Sequence, residues 1–294
     1  MSKTTGGSKA YKIFSVVVLI VLALLFLFPL YWIVTGALKP PAVINAKTPV
    51  WFPTEITSRN FEVLFSKRSA PLFQIGPLTG PTVPAAIRWL LNTVFMAVSA
   101  MLLTCITAAM AGYALAKKRF TGRAILFSLI VAAMALPKQV VLLPLIREMS
   151  AIGLYNTIWA VIFPTVGWPF GVFLMKQFAE GIPGEMLEAA RIDGASEIRT
   201  FTNIVYPLVK PGVGALAIFT FISSWNDYFL QLIMLSSNVN YTISLGIATM
   251  QAENTTDYGL IMAGAALAAI PIIIVFLIFQ KYFTKGITMG AVKG

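Results

Sequence analysis

The side chains of this 294-residue sequence that could do chemistry are few. There is no histidine, which excludes His–metal sites and catalysis by a histidine general base. The single cysteine, Cys105, lies within an apolar run; it cannot form an intrachain disulfide, and a small packing role is expected. Asp227 is the one acidic residue clearly inside a predicted membrane span. A charge at that depth is expensive, which makes Asp227 a functional candidate.

Two interpretations of Asp227 remain open. It could line a solute-accepting vestibule, because neighbouring aromatic side chains offer flat apolar faces with polar edges. It could equally pair with Lys138 and hold two spans together. Lys138 and Gln139 follow Pro137, which interrupts an apolar run, and such breaks are tolerated where they face protein or a water-filled cavity. The candidate substrate-path residues are Trp225, Asn226, Asp227, Tyr228, Lys138 and Gln139.

A second group of charged residues lies in the polar segment 181–211, between two long apolar runs. Pro183 suits the first turn of a helix, and Gly194 suits its C-terminal stop. Ser196 can cap a second helix over Glu197–Tyr206, which Pro207 is expected to end. A stripe on this second helix is predicted from Ile198, Phe201, Thr202 and Val205. The segment therefore reads as two short helices hinged at a glycine, neither long enough to cross a membrane.

The elements that must position these residues are membrane spans. The sequence is 58% hydrophobic and 11% charged, whereas a soluble domain carries about 25% charged residues. Its apolar residues form runs of the roughly 17–25 residues that a tilted helix needs. One transmembrane domain, 13–283, is predicted between a terminal segment 1–12 and a tail 284–294. Its six spans are 13–35, 89–115, 124–146, 154–175, 212–235 and 260–283.

Two further segments are expected to be loops on the face opposite the termini. Residues 37–88 are rich in proline, which favours turns and extended chain with one short helix near Phe61–Phe65. The second loop, 236–258, is polar and carries chance glycosylation-type triplets at Asn240 and Asn254. In the fourth span, Trp168 and Phe170 flank Pro169 and are secondary candidates for the solute path.

The lysines and arginines predict the orientation. Fourteen of the 22 fall on the face that holds both termini, 116–123 and 176–211. Both termini and the 181–211 loop are therefore expected in the cytoplasm. The net charge of +11 does not indicate nucleic acid, because the basic residues sit at the ends of apolar runs, where they contact lipid headgroups.

The spacing within the 181–211 loop resembles a known signature. Glu188-Ala189-Ala190, three residues, Gly194, nine residues, Ile204, one residue, then Tyr206-Pro207 resembles the EAA motif of ABC importer permeases. The departure is Tyr206, where leucine is usual, and both are bulky apolar residues. Ser224–Tyr228 and the tail from Gly286 resemble segments of the carbohydrate (maltose-type) permeases. The resemblance covers nearly the whole chain.

The resemblance implies a fold, a function and partners. The fold is all-α: a polytopic membrane protein with six transmembrane helices and a cytoplasmic coupling-helix loop, the type I ABC importer permease fold. The implied function is a sugar or oligosaccharide permease of the cell (inner) membrane. The implied partners are two ATPase subunits, a second permease subunit, an extracytoplasmic solute-binding protein and membrane lipid. The implied ATPase-coupling residues are Glu188, Ala189, Ala190, Gly194, Ile204 and Pro207.

The chain itself is not expected to be an enzyme. It lacks the G-x-x-x-x-G-K-[ST] phosphate loop, so ATP and Mg are expected on the partner subunits and no cofactor or metal on this chain. It also lacks a G-x-S-x-G motif and paired intramembrane carboxylates, which disfavours a membrane-embedded enzyme. The alternatives are a permease of the same superfamily for another solute and a self-sufficient secondary transporter, for which Asp227 alone is thin support.

Overall fold

The computed structural model describes residues 9–253 and 257–291, and this part of the chain is mostly helical. The first five helices are α1 (Lys9–Ala37), α2 (Pro41–Ile44), α3 (Arg59–Ser66), α4 (Ala85–Lys117) and α5 (Arg123–Ala133). They are followed by α6 (Leu142–Ala151), α7 (Trp159–Val166), α8 (Pro169–Glu180), α9 (Gly184–Ile192) and α10 (Glu197–Thr200). The last are α11 (Tyr206–Asn226), α12 (Tyr228–Met234), α13 (Ile243–Glu253) and α14 (Tyr258–Ala291).

The membrane spans are of two kinds. Among the described residues, four helical segments are long and apolar enough to cross a bilayer: Tyr11–Ala37, Ala85–Lys117, Glu197–Asn226 and Tyr258–Gln280. Two helix pairs qualify only together, and the number of spans reaches six if each pair is one span. α5 and the segment Lys138–Ala151 meet at 102°, and α7 and α8 meet at 40°.

Each broken span has an identifiable cause. Pro137 lacks an N–H and disfavours helical geometry at Leu136, so α5 ends and a short 3₁₀ turn precedes α6. Pro169 begins α8 after the interruption at Gly167 and Trp168. The prediction of one uninterrupted helix over 212–235 is wrong, because α11 ends at Asn226 and Asp227 (φ −77°, ψ 61°) leaves helical geometry.

The loop segments hold more structure than the sequence indicates. In 37–88, α3 forms where a short helix is predicted, but α2 and four short strands are present as well. These are β1 (Ser69–Pro71), β2 (Gln74–Ile75), β3 (Leu78–Thr79) and β4 (Thr82–Pro84). β1 pairs with β4, and β2 pairs with β3 in antiparallel register.

Two other loop predictions are corrected. Residues 236–258 are not a plain polar loop, because α13 occupies eleven of them. The Asn254 triplet lies outside the described residues. The expected tail 284–294 is not a separate segment in its described part, because α14 continues to Ala291. Residues 1–8 and 292–294, at the two termini expected in the cytoplasm, also lie outside the described residues.

The described chain forms two compact units. The first consists of Met1–Ser69 and Ile247–Ala269 within the described ranges. In this unit the buried Asn60 amide donates hydrogen bonds of 2.9 Å to the carbonyls of Ala37 and Lys39, which stabilises the end of α1. The buried Lys39 ammonium donates to the Val50 carbonyl at 2.6 Å and lies 4.2 Å from the Trp32 ring centroid.

The second unit, Ala70–Gly246 and Ile270–Gly294 within the described ranges, is built around α4. This helix packs against α7, α8 and α11. Gly112 permits close approach, since a Cβ there would lie 2.6 Å from the backbone of Met175 and Lys176. The buried residues at this contact include Cys105, Ala108, Ala109, Tyr113, Met175, Ala179, Val205, Val209 and Leu216.

Candidate functional site

The 181–211 loop folds as a helix, a left-handed turn and a second helix. α9 follows Pro183 and carries Glu185 in its first turn, where the negative charge suits the helix dipole. Gly194 has φ +72°, the left-handed conformation that ends helices and favours glycine. The Ser196 hydroxyl accepts a 3.3 Å hydrogen bond from the Arg199 N–H and so caps α10, as predicted.

The second helix does not stop at Pro207. α10 passes through a π turn at Phe201–Val205 into α11, and the helical run from Glu197 to Asn226 is 30 residues long. Pro207 stands in the first turn of α11 and Pro211 lies inside it. Proline costs a helix one hydrogen bond, and local π adjustments can satisfy the backbone groups that it frees in a membrane helix. The predicted division into a short helix and a separate span is therefore wrong.

The residues of the EAA motif take different environments. Glu188 and Ala189 are exposed on α9, whereas Ala190 is buried. Ile204 is half-buried and Pro207 exposed. Two large apolar side chains flank the glycine turn and lie open to solvent, Ile192 with 86% and Ile198 with 78% of its surface exposed.

The apolar stripe predicted on the second helix is wrong in part. Val205 is fully buried and Phe201 half-buried, but Ile198 and Thr202 face solvent. The face that packs against the protein instead includes Thr200, Val205 and Val209. The predicted stripe assumes a regular α-helix. The π turn at Phe201–Val205 changes the angle between successive side chains, so different residues face the protein.

Two lysines at the end of α4 hold the loop. The Lys117 ammonium donates hydrogen bonds to the carbonyls of Glu180 (3.1 Å) and Ile182 (2.6 Å), just before α9. The Lys118 ammonium lies 2.5 Å from both carboxylate oxygens of Glu197, in the first turn of α10. The Tyr113 hydroxyl donates to the same carboxylate at 3.4 Å.

The charge on Lys118 is stabilised by these neighbours. Burial opposes the ammonium, but the hydrogen bonds with Glu197 and Tyr113 outweigh it and raise the pKa of Lys118 above its ordinary value. When folding raises the pKa of a lysine, its stabilising contribution is complete below the ordinary lysine pKa. That contribution is lost only as the pH rises through the raised pKa. The contact therefore stays charged throughout the physiological range.

A polar cleft of about 650 Å³ opens between the end of α4 and the loop. Its lining includes Lys118, Arg119, Glu188, Arg191 and Glu197. The cleft and the exposed isoleucines give the loop a mixed charged and apolar surface, a composition suited to docking against another protein.

A second cavity, of about 500 Å³, lies where the broken helices end. Three interruptions contribute: the Pro137 break after α5, the break between α7 and α8, and Asp227 after α11. The lining is largely apolar and aromatic with a few polar groups, as in sites for small ligands. Its polar and aromatic lining residues are Lys138, Gln139, Thr165, Trp168, Phe170, Ser223, Asp227 and Phe229.

Asp227 forms the ion pair considered from the sequence and also faces this cavity. The Lys138 ammonium lies 3.0 Å from Asp227 Oδ2, while Oδ1 accepts a 3.4 Å hydrogen bond from the Leu230 N–H and caps α12. The Asp227 side chain is 19% exposed and that of Lys138 64%. The two interpretations of Asp227 are thus not exclusive in this geometry.

The other candidate path residues are not brought together. Trp225 is buried and its ring lies 5.5 Å from Phe221, which is a packing contact. The Asn226 amide donates to the Ile222 carbonyl, and Tyr228 is exposed; neither lines the cavity. Gln139 does line it, as do the secondary candidates Trp168 and Phe170.

Sequence reasoning missed the side chains that fasten the loop. In the sequence, Lys118 contributes only to the prediction of orientation, and Tyr113 is not distinguished from other aromatic residues of a span. The available signal is a carboxylate, Glu197, in the first turn of the second loop helix and a lysine pair, Lys117-Lys118, at the end of the span 89–115 on the same predicted face of the membrane. Ser223 lies one helical turn before Asp227 and shares its face, so the sequence does hold a signal for it. Phe229 lies beyond the break at Asp227, which a continuous helix does not show.

The sequence and fold match known proteins over most of the chain. Residues 106–289 match the family described as binding-protein-dependent transport system inner membrane component. The arabinooligosaccharides transport system permease protein AraQ of Halalkalibacterium halodurans is 34% identical over 93% of each chain. The melibiose/raffinose/stachyose import permease protein MelC of Bacillus subtilis is 31% identical over 98% of each chain.

A solved structure shares the fold. It is the crystal structure of a bacterial ABC transporter involved in the import of the acidic polysaccharide alginate. The TM-score is 0.72 over 95% of this chain and 100% of that one, at 23% identity.

The chain belongs to the family of inner membrane components of binding-protein-dependent transport systems. It is a permease subunit of an ABC importer, a transport subunit and not an enzyme. The helical membrane fold inferred from the EAA motif is confirmed.

Proposed function

We propose that this permease carries a sugar or oligosaccharide across the cell membrane. The observation that carries the proposal is the likeness to AraQ and MelC over almost the full length of each chain, since both are named for oligosaccharides. The cavity supports it: the Trp168 and Phe170 rings offer apolar faces for a sugar, and Lys138, Gln139 and Asp227 offer hydrogen bonds.

The 181–211 loop is the docking site for an ATPase subunit in this proposal. Ile192 and Ile198 present exposed apolar surface on either side of Gly194, and Glu188 adds a charge on the same loop. A second permease and two ATPase subunits, which hold ATP and Mg, would complete the complex with an extracytoplasmic solute-binding protein. Closure of the ATPase pair moves the loop and switches the cavity between inward and outward access, a rigid-body transition between two states.

The orientation follows from the docking. The loop and both termini lie in the cytoplasm, and segments 37–88 and 236–258 lie on the opposite side, as the lysine and arginine distribution predicts. Asp227 and Lys138 then belong to the solute path between the two faces.

The substrate class is tested with the reconstituted complex in lipid nanodiscs. Its ATP hydrolysis is measured with the binding protein loaded from a panel of neutral oligosaccharides, amino acids and phosphate. Stimulation by a neutral oligosaccharide is expected. Stimulation by an amino acid or phosphate alone would contradict the sugar assignment and favour the non-sugar permease.

The docking role is tested at Glu188 and Gly194. Glu188→Lys or Gly194→Pro is expected to abolish stimulated ATP hydrolysis while the chain remains in the membrane. Glu185→Lys is a matched control, because Glu185 is exposed on the same helix but stands outside the motif. Unchanged assembly and stimulation in the first two variants would refute the docking role.

A further inference from the structure

Two lysines at the end of α4 bind the 181–211 loop at two points, one before α9 and one at the start of α10. Lys117 bonds the two carbonyls that precede α9, and Lys118 bonds the carboxylate that opens α10. The two lysines are adjacent in sequence, so one helix end brackets the whole segment from Ile182 to Glu197. Any displacement of the loop changes the distance to one of these ammonium groups unless α4 moves with it.

Aromatic contacts continue the attachment beyond the charges. The Tyr113 ring lies 5.8 Å from the Phe201 ring, one turn into the second helix, and the Lys118 ammonium lies 5.1 Å from the Tyr113 centroid. Tyr113 is buried and Thr200 beside Phe201 is buried too. The polar contact with Glu197 therefore sits on the rim of a packed interface and fixes its register.

α4 does not itself line the cavity, but it contacts a residue that does. It is a 33-residue helix without an internal proline, a frequent cause of sharp kinks. The Thr104 hydroxyl, about halfway along it, donates a 3.3 Å hydrogen bond to the carbonyl of Thr165, and Thr165 lines the cavity. Gly112, between Thr104 and Lys118, lets α4 pack directly on the backbone of α8.

We propose that Lys118 and Glu197 are positioning residues that make α4 follow the 181–211 loop, so that movement of the loop reaches the cavity through α4. The inference rests on the proposed docking role of the loop. The ion pair is suited to this because exposed pairs contribute little to folding stability but are sensitive to geometry. Losing it therefore disturbs the transmission of movement more than the fold.

Charge reversal tests the proposal in the complete reconstituted complex. Lys118→Glu and Glu197→Lys are each expected to lose most of the solute transported per ATP hydrolysed, a ratio that is measured only in complexes shown to have assembled. The double variant Lys118→Glu/Glu197→Lys is expected to recover most of that ratio, and Lys118→Arg to retain it. Arg199→Glu is the matched control, because it reverses an exposed charge on α10 outside the lining of the cleft.

A distance measurement separates positioning from a merely structural role. With Cys105→Ser as background, spin labels at Phe120→Cys and Asn203→Cys report the separation of the α4 end and the second helix. In the unmodified pair this distance is expected to stay constant on ATP binding, and in Lys118→Glu to change. If charge reversal removes the chain from the membrane, transport per ATP and the spin-label distance are measured in Lys118→Gln and Glu197→Gln instead.

The outcomes distinguish this proposal from the docking role on which it rests. Unchanged stimulation in Glu188→Lys would defeat the docking role itself. Loss of stimulation in Glu188→Lys with normal transport per ATP in both Lys118→Glu and Glu197→Lys would overturn only the present inference. Failure of the double variant to recover, with both single variants impaired, would overturn it as well.

Discussion

Gly194 has a conformation that other residues adopt at a cost. Its φ of +72° is left-handed, and no atom lies within 4 Å of the position a Cβ would take. The penalty for a side chain is therefore one of backbone strain, about 1–2 kcal/mol for alanine. We expect Gly194→Ala to lower the thermal unfolding temperature of the purified complex.

Gly184→Ala is the control for this prediction, because it too has open space around its Cβ position but stands in α9 without a positive φ. Alanine within a helix is favoured over glycine. Equal unfolding temperatures for the two alanine variants would show that the turn carries no strain.

Asp227 combines a charge and a helix cap, and two substitutions separate them. Asparagine keeps the cap for the Leu230 N–H, whereas alanine removes it at a cost of about 0.5–2 kcal/mol. We expect Asp227→Asn to assemble normally but to transport less, and Asp227→Ala to lose stability as well. Normal transport by Asp227→Asn, measured as solute uptake in proteoliposomes, would reduce Asp227 to a structural cap.

At the level of elements, the contact of α4 with α8 depends on Gly112. A Cβ there would lie 2.6 Å from backbone atoms of α8, which cannot move as a side chain can. Overpacking of this kind costs about 1–3 kcal/mol, so Gly112→Ala is expected to reduce thermal stability and complex yield. Gly171→Ala should be far milder, since its nearest neighbour is the Leu216 side chain at 3.3 Å. The reverse order of stabilities would show that α8 approaches α4 less closely.

The turn before α7 is fastened to the segment after α12 by Asn156. It is the one non-glycine residue with positive φ (59°) among the described residues. Its side-chain oxygen accepts hydrogen bonds from the N–H groups of Ser236 (2.8 Å) and Ser237 (3.0 Å). Asn156→Ala removes both hydrogen bonds, each worth about 0.5–1.5 kcal/mol, and places alanine in a left-handed conformation that asparagine tolerates better.

Asn156→Asp is the matched variant, because a carboxylate keeps the acceptor. Thermal unfolding of the two variants in the same detergent checks the prediction. A larger loss for the aspartate variant would mean that the hydrogen bonds to Ser236 and Ser237 are not what holds the turn.

The sequence predicts these elements well where the signal is local. Gly194 and Ser196 mark a helix end and a cap that depend on a few neighbouring residues, and both are found. The prediction that Pro207 ends the helix is wrong, because the π turn before it accommodates the proline and the helix continues. α13 is missed because its apolar residues stand between polar ones and resemble a loop.

The candidate sites also differ in whether the sequence predicts them, according to how local their residues are. The EAA spacing identifies the loop because the motif lies within twenty residues of sequence. The cavity and the Lys118–Glu197 contact join residues from distant elements, so only the packing of α4, α8 and α11 brings them together. Trp225 shows the limit most plainly, since Ser223 and Asp227, two positions away on either side, face the cavity while its own ring is buried.

At the scale of the whole molecule, the proposed orientation is open to a labelling experiment. The native cysteine, Cys105, is buried and can be replaced by serine for a cysteine-free background. In that background Lys47→Cys should react with an impermeant maleimide added outside intact cells, whereas Arg119→Cys should react only after permeabilisation. Both native side chains are exposed, so access to the side chain is not the limiting factor. Reaction of Arg119→Cys in intact cells would reverse the topology.

The three helix interruptions around the cavity have a consequence for amide hydrogen exchange. Residues near Pro137, Trp168 and Asp227 lie outside the regular helical ladder, although each stands within a span predicted from the sequence. Their N–H groups are open to deuterium whenever water fills the cavity, while those in the middle of α4 are protected. Exchange at these three breaks is therefore expected to slow together when a solute occupies the cavity, giving a record of occupancy that needs no label and no knowledge of the solute.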